Sequence, residues 1–253
     1  MNSIIILIYI YMFIIGMCVA SFMNVVIDRV PRNESFVKGR SHCDHCGKTL
    51  KWYDLIPVVS YVFLRGKCRY CHTSIPIRGF LIEIFGGFIG MFCFYRFGLS
   101  IETLLMFVIA MILLAITMID FDTMMIPDGL NIALFIVSIV LMYVRHMSVL
   151  ESVIGMFCIS VPMILLNLLV AESFGGGDIK LMFASGIALG WKYSLLAAFI
   201  GILIAGSYSI YLIATKKIDK KGHIAFGPYL SIGIFIALSY GYEIVNWYLN
   251  LMM

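Results

Sequence analysis

The sequence predicts an all-α polytopic membrane protein of about eight transmembrane helices, interrupted once by a small polar insertion. Three observations carry that prediction. Of 253 residues, 62% are hydrophobic and only 13% are charged, whereas soluble domains are nearer half apolar and a quarter charged; mean hydropathy is +1.02. The apolar residues fall in runs near 4–26, 79–97, 103–119, 129–144, 149–171, 179–191, 193–215 and 226–249, and a helix crosses a bilayer with ~20 such residues. Charge is uneven: residues 28–78 hold ten Lys/Arg against four acids, in a chain of net charge +4. This composition excludes disorder, a fibrous repeat, a disulfide-rich secreted domain and an ordinary soluble enzyme.

The first run, Ile4 to Ala20, has no basic residue before it and reads as a membrane helix rather than a removed leader. The polar segment that follows is basic enough to suggest nucleic acid. In a membrane chain, positive charge instead marks the cytoplasmic side, so 28–78 is placed there and no nucleic-acid partner is expected. Later junctions then alternate. Those at 120–128, 172–178 and 216–223 fall inside, the last carrying Lys216, Lys217, Lys220 and Lys221; those bearing Arg96, Arg145 and Lys192 fall outside. The division expected is 1–27 as a first transmembrane helix, 28–78 as a cytoplasmic insertion and 79–253 as the main transmembrane domain.

Three of the seven cysteines, Cys18, Cys93 and Cys158, lie in apolar runs and read as small core residues. The other four, Cys43, Cys46, Cys68 and Cys71, form two C-x2-C pairs. Disulfides are disfavoured in the cytoplasm, and two such pairs can close all four positions of a tetrahedral structural zinc ion. Zinc is favoured over a redox dithiol pair or unliganded thiols. His42, His45 and His72 are competing ligands, and Gly47 supplies the small residue for a knuckle turn. The segment has little apolar core, so a metal would stabilise it.

Acids at membrane depth are costly and point to function. Glu243 reads as interfacial, Glu83 as a partner for Arg78, and Asp122 and Asp128 as caps or solvent-bound groups. Asp120 directly ends an apolar run, at the inner edge of its helix. Asp178 follows Gly175-Gly176-Gly177 and opens the next apolar run. No Gly-Lys-Ser/Thr follows those glycines, which disfavours a phosphate loop. The topology puts Asp120 and Asp178 on one side, and two carboxylates together can share a proton and activate water, as in aspartic proteases. Helix dipoles would place that proton on Asp120, at a helix C-terminus, and leave Asp178, at an N-terminus, as the base.

Five segments in order resemble the type IV prepilin peptidases, integral membrane aspartic proteases of the GxGD type: Gly16 to Pro31, the paired C-x2-C knuckles, Ile119 to Asp128, Phe174 to Leu181 and Phe226 to Tyr229. Ser74 to Glu83 departs from the family pattern, as does Ala225, which stands where a proline is common. The resemblance implies cleavage of prepilin or pseudopilin leaders after a glycine, at the cytoplasmic face of the bacterial inner membrane. Asp120 and Asp178 would be catalytic, and the 79–253 region the aspartic protease domain. Gly175, Gly176, Gly177 and Lys180 would position the substrate, the glycines by giving its backbone room. It also implies methylation of the new N-terminus by S-adenosylmethionine in many members, although no glycine-rich nucleotide fingerprint follows a strand here. The rival readings are an ion-coupled transporter with paired carboxylates and a non-catalytic scaffold of a pilus assembly machine. Transport carboxylates lie near the bilayer midplane, whereas these two sit at helix ends.

Overall fold

Helix α1 (Asn2–Arg29) stops where Pro31 approaches, because proline disfavours helical geometry in the residue before it. The Arg29 guanidinium turns back to donate to the carbonyls of Ser35 and Lys38, at 3.0 and 3.2 Å, so the end of α1 organises the start of the insertion. The computed structural model describes residues 2–170, 174–215 and 224–252. The lysines expected inside, Lys216, Lys217, Lys220 and Lys221, lie outside the described residues.

The chain forms two compact units, Met1–Thr103 and Leu104–Met253. In the first, α1 packs on α3 (Ile77–Phe97), which sequence order had grouped with residues 79–253. Gly16 meets the backbone of Gly86 and Gly87 so closely that no Cβ fits. Small residues of this kind hold membrane helices together, where the hydrophobic effect between helices is absent. Edge-to-face pairs Tyr9–Phe94 and Phe13–Phe88, with centroids 5.0 and 5.4 Å apart, extend the contact. Between these helices lies the insertion, with short α2 (Val59–Phe63). Glu83, expected as a partner for Arg78, accepts the Val58 N–H through its Oε2 at 2.7 Å, holding Val58 at φ 62°. Tyr61 stacks on Phe80, and its hydroxyl donates to the Ile75 carbonyl at 3.3 Å. Cys93 is buried as expected, but Cys18 is exposed and Cys158 only half-buried.

The second unit holds most of α4 (Ile101–Thr123), then α5 (Asp128–Val144), α6 (Val149–Leu169), α7 (Gly176–Ala214) and α8 (Gly227–Met252). Ile109, Ile116, Leu134, Leu141, Leu181 and Ile234 are fully or almost fully buried at its centre. Among the described residues, six helices of the whole chain are long and apolar enough to cross a membrane; α5 is apolar but shorter. The protein is therefore multi-pass.

The 39 residues of α7 include two of the predicted runs. Gly190 breaks them apart at φ 66°, ψ 174°, a conformation other residues rarely adopt. Neighbours show that the chain reverses there. Beyond the break, Tyr193, Ala197 and Gly201 lie against Gly241, Gly233 and Leu230 in turn, and Tyr208 against Tyr229, so this half of α7 runs antiparallel to α8. Before the break, Asp178 shares a cavity with Asp120, which is bonded to Gly227 at the start of α8. Residues 178 and 208 thus both lie near one end of α8, whereas a straight helix would hold them ~45 Å apart. With the two halves counted separately, eight apolar segments result among the described residues, as the sequence predicts.

Candidate active site

Asp120 is carried by the last turn of α4 and is 5% exposed. Its Oδ2 accepts the backbone N–H of Gly227, the first residue of α8, at 2.9 Å. Pro228 behind that glycine suits a helix start, where no intrahelical N–H bond is lost. A Cβ on Gly227 would come within 2.7 Å of Asp120 Oδ2, so only glycine lets this backbone reach the carboxylate undisturbed.

Asp178 is the third residue of α7 and is 7% exposed. Gly175 caps the helix in an extended conformation, and its carbonyl accepts the Asp178 N–H at 3.1 Å. Gly177 lies against Ile126, where a Cβ would come within 2.8 Å of the side chain. This close approach fits α7 beside the Asp120–Asp128 turn. Asp178 Oδ1 is buried and has no hydrogen-bond partner among the described residues.

The two carboxylates line one cavity of about 270 Å³ together with Met124, Met125, Ile126 and Asp128. Gly175, Gly176, Gly177 and Lys180, all expected to position substrate, line it too. Lys180 Nζ meets Asp128 Oδ1 at 2.6 Å, both exposed; Asp128 stands in the first turn of α5 and pairs with this lysine as well as with solvent. Asp122 is exposed and is not among the residues lining the cavity. Sequence reasoning missed two groups. It read Gly227 only as part of a signature, although Gly-Pro before an apolar run is a helix-start signal. It passed over Asn131, a lone amide in the run 129–144 that is 5% exposed.

The insertion gathers its four cysteines. The sulfurs of Cys43, Cys46, Cys68 and Cys71 all lie within 4.8 Å of one another, and Cys43 and Cys71 are 3.8 Å apart. A tetrahedral zinc with ~2.3 Å bonds to sulfur places ligands about 3.8 Å apart, so the set fits such an ion; none of the flanking histidines belongs to the cluster. The two knuckles repeat each other. Cys43 N–H bonds the Lys48 carbonyl as Cys68 N–H bonds that of Thr73, and Gly47 N–H bonds Cys43 as His72 N–H bonds Cys68. The left-handed position is Gly47 in one and His72 in the other, at φ 66° and 57°, so the second turn forms without a small residue. Hydrogen bonding by Thr73 holds the Cys71 thiol down to about 6, toward the thiolate that binds metal. Asp54, with its side chain 2% exposed, braces the domain by accepting from Arg69 at 2.6 Å and Tyr70 at 3.2 Å.

Comparison with known proteins agrees with this division. Residues 14–97 match the bacterial peptidase A24 N-terminal domain, and residues 107–210 match the type IV leader peptidase family. The prepilin leader peptidase/N-methyltransferase of Bacillus subtilis is 30% identical, over 95% of this chain and 97% of its own length. That of Neisseria gonorrhoeae is 30% identical over 94% and 93%. That of Myxococcus xanthus is 31% identical over 84% of this chain, which spans 65% of that relative. No solved structure matches. With a peptidase domain model on each compact unit and relatives aligned along nearly its whole length, the chain belongs to the type IV leader peptidase family of membrane peptidases.

Proposed function

We propose that the protein is an aspartic endopeptidase that removes the leader of a prepilin or pseudopilin at the cytoplasmic face of the bacterial inner membrane. The observation that carries this is the pair of buried carboxylates, Asp120 and Asp178, on one cavity. They come from helix ends rather than helix middles, which favours a protease at a membrane face over a midplane transport site. Such a substrate keeps a basic leader in the cytoplasm and an apolar helix in the bilayer, so its scissile bond meets the cleft at that boundary. The basic insertion supports the cytoplasmic assignment.

The two carboxylates hold one water between them and share one proton, because like charges side by side resist joint ionisation. The water attacks the scissile carbonyl directly, and no covalent acyl-enzyme forms. Helix dipoles alone favour the proton on Asp120. The Gly227 N–H supports the opposite assignment. A hydrogen bond to a charged acceptor is worth about 1.5–3 kcal/mol, against ~0.3–1 kcal/mol for a helix end. Gly227 also begins α8, so Asp120 faces a positive helix end as well as its own negative one. Asp120 is then the charged base that takes the water proton. Asp178 also takes a backbone N–H, that of Gly175, but its Oδ1 lacks a donor, and it is the acid facing the substrate carbonyl.

The four cysteines would hold a structural zinc, with every position closed by protein sulfur and none left for substrate. Methyl transfer, the second activity in the relatives' name, would draw on S-adenosylmethionine; we assign no residues of this chain to it. The deciding experiment incubates purified protein with a synthetic prepilin peptide that spans the leader junction. The expected result is one cut after the junction glycine, seen by mass spectrometry. An intact peptide would overturn the reading.

A further inference from the structure

The cleft has an apolar neighbour. A groove of about 340 Å³ between α5 and α7 shares Asp128 and Lys180 with the cleft. From that shared mouth its lining runs along α5 to Phe135 and along α7 to Ala184. The groove therefore leads away from the helix starts by ~10 Å along the axes. Phe135 and Phe183 stack within it, with centroids 5.9 Å apart. Beyond the Asp128–Lys180 mouth, one residue breaks the apolar lining. Asn131 is 5% exposed, and among the described residues neither its Nδ2 nor its Oδ1 has a partner. A buried amide with both ends unpaired is rare in a folded protein and calls for an explanation.

We propose that this groove receives the first apolar residues on the C-terminal side of the scissile bond, and that the Asn131 amide hydrogen-bonds the substrate main chain there. The inference rests on the peptidase reading and deepens it. Attack on a peptide bond at a helix end requires the substrate to unwind locally. Unwinding frees N–H and C=O groups where the bilayer offers no water to pair them. A carboxamide supplies one acceptor and a donor group, the complement of one extended residue. Continuity with the cleft fixes the occupant, because a substrate entering the bilayer from the aspartates passes along this groove. A lipid chain would fill the apolar part and leave the amide unpaired.

The test uses the full-length protein, a synthetic prepilin peptide and a set of analogues. Each analogue carries one backbone ester in place of an amide within the first residues after the scissile bond. The wild type should lose roughly ten-fold in kcat/KM at one ester position. Asn131→Leu, similar in shape and without polar atoms, should lose roughly ten-fold on the all-amide peptide and show no further loss at that ester. Its thermal stability should equal or exceed the wild type's, because an unpaired buried amide has been removed; a structural asparagine would instead lose stability. If Asn131→Leu inserts poorly, Asn131→Ala is read by the same ester comparison. Wild-type kcat/KM in the variant, or an equal ester penalty in both proteins, overturns the inference and leaves the peptidase reading standing. Failure of the wild type to cut the all-amide peptide removes both.

Discussion

The cysteine insertion and the aspartate cleft are built on opposite plans. The knuckles draw their ligands from one short stretch, and each pair is set by backbone bonds a few residues long, such as Cys43 N–H to Lys48 and Cys68 N–H to Thr73. Of the four cysteines Cys68 is buried, Cys43 and Cys71 are half-buried and Cys46 is exposed. On the proposed reading, a bound zinc would fix their geometry. The cleft instead joins residues as far apart as Asp120 and Gly227, 107 positions, and both carboxylates are buried. Its geometry depends on helix packing, on close glycine contacts and on the reversal at Gly190. A local site tolerates change elsewhere in the chain; an assembled one does not.

The largest separation between the two should come from the cysteines. Replacing Cys43 and Cys46 with Ser is expected to take the purified protein from about one zinc per chain to almost none. Protease sensitivity of residues 28–78 should rise with the loss. Full zinc content in the double variant, measured by elemental analysis, would break the comparison at its metal-dependent side.

Gly227→Ala should do the reverse. Its Cβ would come within 2.7 Å of Asp120 Oδ2, so the carboxylate or the start of α8 must shift. A displacement near 1 Å at a reacting group can cost about a hundred-fold in rate, so prepilin-peptide cleavage should fall by ten- to a hundred-fold with zinc content unchanged. Wild-type cleavage in Gly227→Ala would show that the Gly227 contact is incidental.

The smallest expected effect sharpens the account of the insertion. Burial by itself would raise the Asp54 carboxyl, but Arg69 and the Lys51 N–H outweigh it and hold the group below the usual carboxylate range. A value lower in the folded than in the unfolded state stabilises above the unfolded value, ~3.9, and that stabilisation is lost as pH falls through the folded value. Because Arg69 is 43% exposed, solvent screens the pair and keeps the contribution small. Proteolysis of residues 28–78 should therefore quicken below pH ~4 in the wild type, and Asp54→Asn should flatten that dependence. An unchanged pH profile in Asp54→Asn would remove Asp54 as the brace.

The same contrast explains what could be read without coordinates. The cysteine cluster was legible because two C-x2-C pairs put four sulfurs on the chain at short, regular spacing. The eight apolar segments were legible because membrane thickness sets their length. Asp120 and Asp178 stood out as costly acids at helix ends. The Gly227 N–H was not legible as a donor to Asp120, because nothing in a one-dimensional pattern says which helix start meets which helix end. Asn131 was missed for a related reason: a lone amide in an apolar run stands out only when its neighbours fail to pair it. The left-handed turn at His72 was hidden because no small residue marks it, although its hydrogen bonds repeat those at Gly47.

The central claim is that two aspartates, and not their acidic neighbours, cleave the leader. The most direct measurement compares Asp120→Asn, Asp178→Asn and Asp122→Asn, each purified and shown to be folded, on one synthetic prepilin peptide. Either of the first two should reduce cleavage below detection, while Asp122→Asn should retain most of the wild-type rate. Robust cleavage by Asp120→Asn or Asp178→Asn, or loss of cleavage only in Asp122→Asn, would contradict the account.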